Sequence, residues 1–198
     1  MIKKTTNFIH LTKSGKQNLV IDKAGKVVVF FYNLSAILDI KITAPYVNLL
    51  VFGLYIGRKT ERYNISTIQH HISAESSSNL LIKGVFTDQS RFEYEGLIRI
   101  EKTGQKSHAY QKNQNLILSP ETYVDSRPKL EILANDVFCT HGSTTGRLNR
   151  EQIFYTTSRG LSEKSSERLL TVGFIQDLFD QISTHYPDFS FEPPYNLI

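Results

Sequence analysis

The sequence has no tryptophan, one methionine and one cysteine in 198 residues. A single thiol cannot close a disulfide within the chain, so a disulfide-stapled fold is excluded and a reducing compartment is expected. Long apolar runs are missing too. The longest, Val27 to Ile40, is broken by Asn33, Ser35 and Asp39, and is too short and too polar to span a bilayer. The opening "MIKKTTNFIH" has the lysines of a targeting signal without the apolar stretch that should follow them. The expectation is a soluble cytoplasmic protein with no membrane partner.

Charge of one sign is also scarce. The formal net charge is +4, from 23 basic and 19 acidic residues scattered singly. No Lys/Arg block, helix-turn-helix or zinc-finger pattern appears, so no nucleic-acid partner is expected. The sequence holds no G-x-S-x-G elbow, P-loop or G-x-G-x-x-G. It therefore lacks the signatures of a serine hydrolase, a nucleotide hydrolase and a dinucleotide enzyme. Glu93, Glu95 and Glu101 share one strand parity, which fits a solvated face better than an acid/base pair.

What is present leans to strand. Twelve Phe and ten Tyr accompany many Val and Ile. From Asn18 to Leu133 the chain reads "NLVID", "VVVFFY", "ILDIKI", "VNLLVFGLYI", "RYNISTI", "NLLIKGVF", "FEYEGLIRIE", "NLIL" and "KLEIL". Gly, Asn, Asp, Ser and Pro separate these runs, and no helical periodicity intervenes. Such spacing allows a sandwich, a barrel or a β-helix, and does not choose among them. At Asn149 the texture changes. Asn149 can cap a helix from Arg150, with Gln152 at the reciprocal capping position and Gly160 as the terminator. Ser162 can cap a second helix, in which Leu170, Phe174, Leu178 and Ile182 repeat every fourth place and Phe179 widens the apolar face. The division is a β body over 1–148, a helical unit over 149–185 and an extended tail over 186–198.

The chemistry on offer centres on "LEILANDVFCTHGSTTGRLNREQIFYTTSRG", residues 130–160. In extended backbone, residues two apart face one way, so Cys139 and His141 share a side. A thiol and an imidazole suit iron, zinc or copper, but two ligands make a poor site alone. Spacing by itself favours a buried cysteine acting as a small hydrophobe, with a capped histidine beside it. His70 and His71 are adjacent, so their rings point to opposite faces and cannot chelate together.

This same stretch resembles the C-terminal signature of the SufB/SufD family, the scaffold subunits of the SUF iron–sulfur cluster assembly machinery. The family pattern P-x-L-E-I-x-A-x-D-V-x-C-x-H-G-A-T-x-G-x-L finds Pro128, Leu130 to Ile132, Ala134, Asp136, Val137, Cys139, His141, Gly142, Thr144, Gly146 and Leu148. Gln152, Phe154, Tyr155 and Ser158-Arg159-Gly160 follow in register. The upstream "KGVFTDQS" and "NLILS" stretches also resemble the family. The resemblance covers residues 70–183 well and 18–69 only in texture.

The resemblance implies a mainly β fold: a right-handed parallel β-helix followed by a small C-terminal α-helical subdomain. It implies a non-enzymatic scaffold that pairs with a SufB-type partner, or with itself, and docks a SufC-type ABC ATPase through its helices. The docking surface falls on Arg150, Gln152, Phe154, Tyr155, Arg159, Phe174 and Phe179. The interface where a nascent cluster or transient iron is held falls on His141, with Cys139 beside it. The isolated chain is expected to bind no cluster stably, because an all-protein cluster usually takes four ligands. Gly142 stands where SufB-type sequences carry a glutamate, which places the chain nearer SufD. SufD proteins commonly add an N-terminal helical region and a longer β-helix. The alternative reading is a self-associating structural β-helix without a cluster role. A carbohydrate-active β-helix enzyme is a more distant one.

Overall fold

The computed structural model describes residues 7–192 and 195. Eleven strands precede two helices among them. In chain order they are β1 (Asn7–Leu11), β2 (Gly15–Ile21), β3 (Gly25–Tyr32), β4 (Ala36–Ile42), β5 (Val47–Gly57), β6 (Arg62–His71), β7 (Ser77–Phe86), β8 (Arg91–Ile100), β9 (His108–Ile117), β10 (Tyr123–Ile132) and β11 (Phe138–Gly146). The helices are α1 (Arg150–Ser158) and α2 (Glu163–His185). Odd strands form one sheet in the order β1-β3-β5-β7-β9-β11, and even strands form the other. Every pairing is parallel. The chain thus winds between two sheets as a parallel β-helix, with the helical unit after it, as the family resemblance implies.

In-register pairing stacks like positions into columns. One interior column runs Val29, Val51, Leu80, Gln111, His141. Its neighbour runs Val27, Leu49, Ser78, Ala109, Cys139. The interior is apolar in the early rungs, where Phe31, Tyr55, Phe86 and Phe92 fill it. It turns polar in the later ones, where Thr67, Gln69, His71, Gln111, Asn113 and Asn115 are buried. Hydrogen bonds satisfy most of this polarity, as burial demands. Gly96 leaves room for one of them: a Cβ there would lie 2.2 Å from Tyr94 Oη and 2.5 Å from Gln111 Oε1.

The two sheets differ in their outer faces. β8 alternates buried and exposed because only its inner face is covered. β5 is buried along nearly its whole length. The outer face of its sheet presents Val28, Phe30, Leu50, Phe52, Leu81 and Val85 to Ile175, Leu178, Phe179 and Ile182 of α2. Each such side chain contributes about 2 kcal/mol by leaving water. Lys83 brings a cation into this contact. It is buried and donates to Phe174 O at 2.8 Å and to the Asp177 carboxylate.

Residues 186–192 form no helix or strand and pack on the sheet face, with Phe189 and Phe191 edge-on to Phe30 at 5.1 and 5.0 Å. An apolar sheet face beside α2 gives their rings a place to bury. Residues 193, 194 and 196–198 of that tail lie outside the described residues.

Rung corners carry non-glycine residues in the left-handed region. Tyr46, Glu75 and Lys106 have φ of 59°, 57° and 60°. Each stands one rung above the last: Tyr46 N donates to Glu75 O at 3.1 Å, and Glu75 N donates to Gln105 O at 2.9 Å. The bond between rungs offsets the strain that such a φ brings.

Candidate functional site: the open last rung

β10 and β11 end their sheets, so each is hydrogen-bonded on one side only. The last rung has no rung above it among the described residues, and its inward-facing side chains reach solvent. On β11 these are Cys139, His141, Ser143 and Thr145, which stand over Ala109, Gln111, Asn113 and Asn115. On β10 they are Ser126, Pro128, Leu130 and Ile132. Ser143 Oγ donates to Ser126 Oγ at 2.9 Å and ties the two sheets together across the mouth.

Cys139 and His141 do share a side, but their surroundings differ. Cys139 is half-buried against Ile98, Ile100, Ala109, Ile132 and Val137. Burial pushes its thiol up to about 11, with the backbone N–H of Ala109 opposing the shift. The resting group is therefore a protonated thiol, and loss of its proton needs a cation beside it. His141 is exposed, and among the described residues neither ring nitrogen is hydrogen-bonded. The residue beneath it is firmly held. Gln111 accepts from Tyr94 Oη at 3.3 Å and donates to Gly96 O at 3.3 Å and Lys129 O at 3.4 Å. An unbonded imidazole on a held backbone is free to bind a partner's group or a metal. Among the described residues no three His, Cys, Asp or Glu side chains converge to cage a metal.

Apolar surface surrounds this rung. Phe138 is 60% exposed and Leu130 40%. Sequence reasoning missed Ser126, Ser143 and Gln111 as parts of the site. For Ser143 the signal was there, since it lies two residues beyond His141.

The helical residues divide. Asn149 caps α1 by accepting from Glu151 N at 2.7 Å. Among the described residues no bond runs from Gln152 back to Asn149, so the reciprocal half of the cap does not form. Gly160 takes a φ of +95° just past the helix. Arg150, Gln152, Phe154, Tyr155 and Arg159 are all exposed, and α1 buries no residue. Phe174 and Phe179 behave otherwise. Phe179 is 5% exposed and packs on the chain's own sheet, and Phe174 lies half-buried with the Lys83 ammonium 4.5 Å from its ring. A docking surface on the helices therefore excludes Phe179 and reaches little of Phe174. Phe174 belongs to the period-four apolar stripe of α2 and Phe179 widens it, and the β-helix itself takes up that stripe.

The described residues thus form a β-solenoid with an open last rung, followed by two helices. The chain belongs to the SufB/SufD family: the family model described as "SUF system FeS cluster assembly, SufBD core domain" matches residues 7–174. It is 33% identical over 134 residues to the iron-sulfur cluster assembly protein SufD of Escherichia coli, covering 68% of this chain and 32% of that protein. It is 30% identical over 127 residues to SufD of Bacillus subtilis, covering 64% and 29%. A SufBD family protein of Mycobacterium leprae is 30% identical over 155 residues, covering 73% and 39%. The chain spans about a third of the length of these relatives.

Proposed function

We propose that the chain serves as a SufD-like, non-catalytic scaffold in iron–sulfur cluster assembly. Its last rung meets a SufB-type scaffold and its helices dock a SufC-type ATPase. The observation that carries this reading is the open rung: free strand edges, exposed apolar surface and an unbonded imidazole occur together at one end of the β-helix. Free edges favour strand addition by another chain. Pro128 cannot donate from β10, whereas β11 has no proline, so β11 is the more receptive edge.

In the assembled complex His141 supplies one neutral nitrogen to the cluster or iron held between the scaffolds. Cys139 supplies a second ligand once a bound cation draws off its proton. The cluster is cargo, and most of its ligands come from the partner.

The test is co-expression with the SufB-like and SufC-like proteins of the same source, without oxygen. A complex holding all three, whose iron content falls in His141→Ala while its composition stays the same, supports the reading. A homodimer that ignores both partners and carries no iron moves the function to a self-associating structural β-helix.

A further inference from the structure

One interior column of the β-helix runs Ile21, Ile42, His71, Ile100, Ile132. A histidine in a column of isoleucines needs polar company, because a buried polar group without a bond is destabilising. Part of that company is nearby. His71 and Gln69 of β6, Ser78 of β7 and Ser107, which leads into β9, are each 0% exposed. Ser78 Oγ lies 2.7 Å from His71 Nε2 and 2.7 Å from Gln69 Nε2, so one hydroxyl gathers both side chains. Gln69 Nε2 also donates to Tyr110 O at 3.3 Å. Ala109 stands over Ser78, and Ser107 lies two residues before Ala109. Ser107 therefore belongs to the rung above.

Three polar atoms of this cluster have no partner among the described residues: Gln69 Oε1, His71 Nδ1 and Ser107 Oγ. Counting hydrogens fixes what each of them wants. Gln69 Nε2 donates to Ser78, so the single Ser78 hydrogen is free to go to His71 Nε2. Burial, helped by the neighbouring His70, lowers His71 to about 4, so the ring is neutral and carries one hydrogen. With Nε2 accepting, that hydrogen sits on Nδ1. Nδ1–H is then a donor, Gln69 Oε1 an acceptor, and the Ser107 hydroxyl either. Turning the Gln69 amide over does not cure the deficit, because it sets Oε1 against Tyr110 O, acceptor to acceptor.

We propose that the β-helix binds an internal water at this cluster, which accepts from His71 Nδ1–H and donates to Gln69 Oε1 and Ser107 Oγ. One donor, one acceptor and one hydroxyl are the set that a single water satisfies, since buried waters typically make about three hydrogen bonds. A metal cation fits worse. Nδ1 presents a hydrogen to the site, and among the described residues no three His, Cys, Asp or Glu side chains converge. The water joins β6 to the rung that follows and holds the His71 ring in one tautomer. It is independent of the scaffold reading above and asks nothing of a partner.

The test is nuclear magnetic resonance of the full chain carrying isotope-labelled histidine, near neutral pH. His71→Gln identifies the His71 signals by their loss. In wild type the ring nitrogen shifts should report the Nδ1–H tautomer, and that hydrogen should show a cross-relaxation peak to water. A high-resolution crystal structure should place a solvent peak within hydrogen-bond distance of Nδ1, Gln69 Oε1 and Ser107 Oγ. Ser107→Val removes one of the three partners and is expected to abolish the cross-peak while the tautomer stays as it was. An Nε2–H tautomer, a map with Nδ1 bonded to a protein atom or with no solvent peak there, or a cross-peak unchanged in Ser107→Val overturns the proposal. The wild-type measurements decide it even where the valine variant fails to fold.

Discussion

His141 and His71 show how position in a rung sets what an imidazole does. His141 faces a mouth, makes no bond within the described chain, and is open to a partner. Replacing it with Ala is expected to leave the urea midpoint where it was while lowering the iron retained by the complex. His71 lies in the buried interior, its Nε2 2.7 Å from Ser78 Oγ. Burial, helped by the neighbouring His70, lowers it from 6.5 to about 4. The folded chain holds this ring neutral, while the unfolded chain protonates it from 6.5 downward. Its contribution is therefore intact above pH 6.5 and is lost as pH falls toward 4, by up to about 3 kcal/mol. Denaturation curves of wild type and His71→Gln across pH 4–7 check this, and the variant should show the shallower acid loss in that window. His185 is lowered in the same sense by burial, so the difference between the two proteins is the quantity to read. None of this is visible in the "HH" dipeptide, which shows only that the two rings part.

Helix α2 and the sheet beneath it illustrate the same point for whole elements. The sequence marks α2 by its period-four apolar stripe and its Ser162 cap, and Ser162 Oγ does accept from Ser165 N at 3.2 Å. It does not mark what the stripe covers. Lys83 settles the polar part of that contact, because a buried ammonium must find acceptors. Asp177→Asn should cost about 1–2 kcal/mol, since it leaves the cation with a carbonyl and a ring, and the half-exposed Asp177 limits the loss. Lys83→Met removes charge and partner demand together and should cost less. Urea melts order the two variants, and hydrogen exchange should place the loosening in α2. Phe179→Ala removes a ring from the same contact and is expected to cost about 3–5 kcal/mol. Strand lengths behaved differently. β9 reads as the short run "NLIL" because Gln111, Asn113 and Asn115 point inward and break the apolar alternation, and β10 as "KLEIL" because Ser126 and Pro128 stand at its inward positions. β1 (Asn7–Leu11) has no counterpart among the runs the sequence marks, and β11 is marked only as extended backbone around Cys139 and His141. β11 has no rung above it, so nothing selects apolar residues along its inner face.

At the scale of the molecule, the β-helix has one covered flank, one solvated flank and, at β10 and β11, an end with no further rung among the described residues. Cutting the chain after Leu148 would uncover Val28, Phe30, Leu50 and Phe52 at once. That truncation is expected to aggregate or bind a hydrophobic dye, as light scattering and dye fluorescence can show. The open end has the opposite character, with a substitution there acting on assembly and sparing the fold. Leu130→Asp is expected to keep the circular dichroism spectrum and shift any assembled species toward monomer on a sizing column.

By itself the sequence determined the β body, the break at Asn149, both helix caps and, through the motif around Cys139 and His141, the family. Those features depend on residues near one another in the chain, where alternation, capping and fixed spacing act directly. Alternation and spacing left the β architecture open, because parallel strands about thirty residues apart leave no local signature, and only the family motif pointed to the β-helix that the structure shows. Tertiary structure alone decided that Phe179 serves the core and Phe154 the surface, because burial depends on what lies across from a helix face. It also put Gln111 under His141 and joined Ser143 to Ser126, since those contacts exist only once one rung is stacked on another.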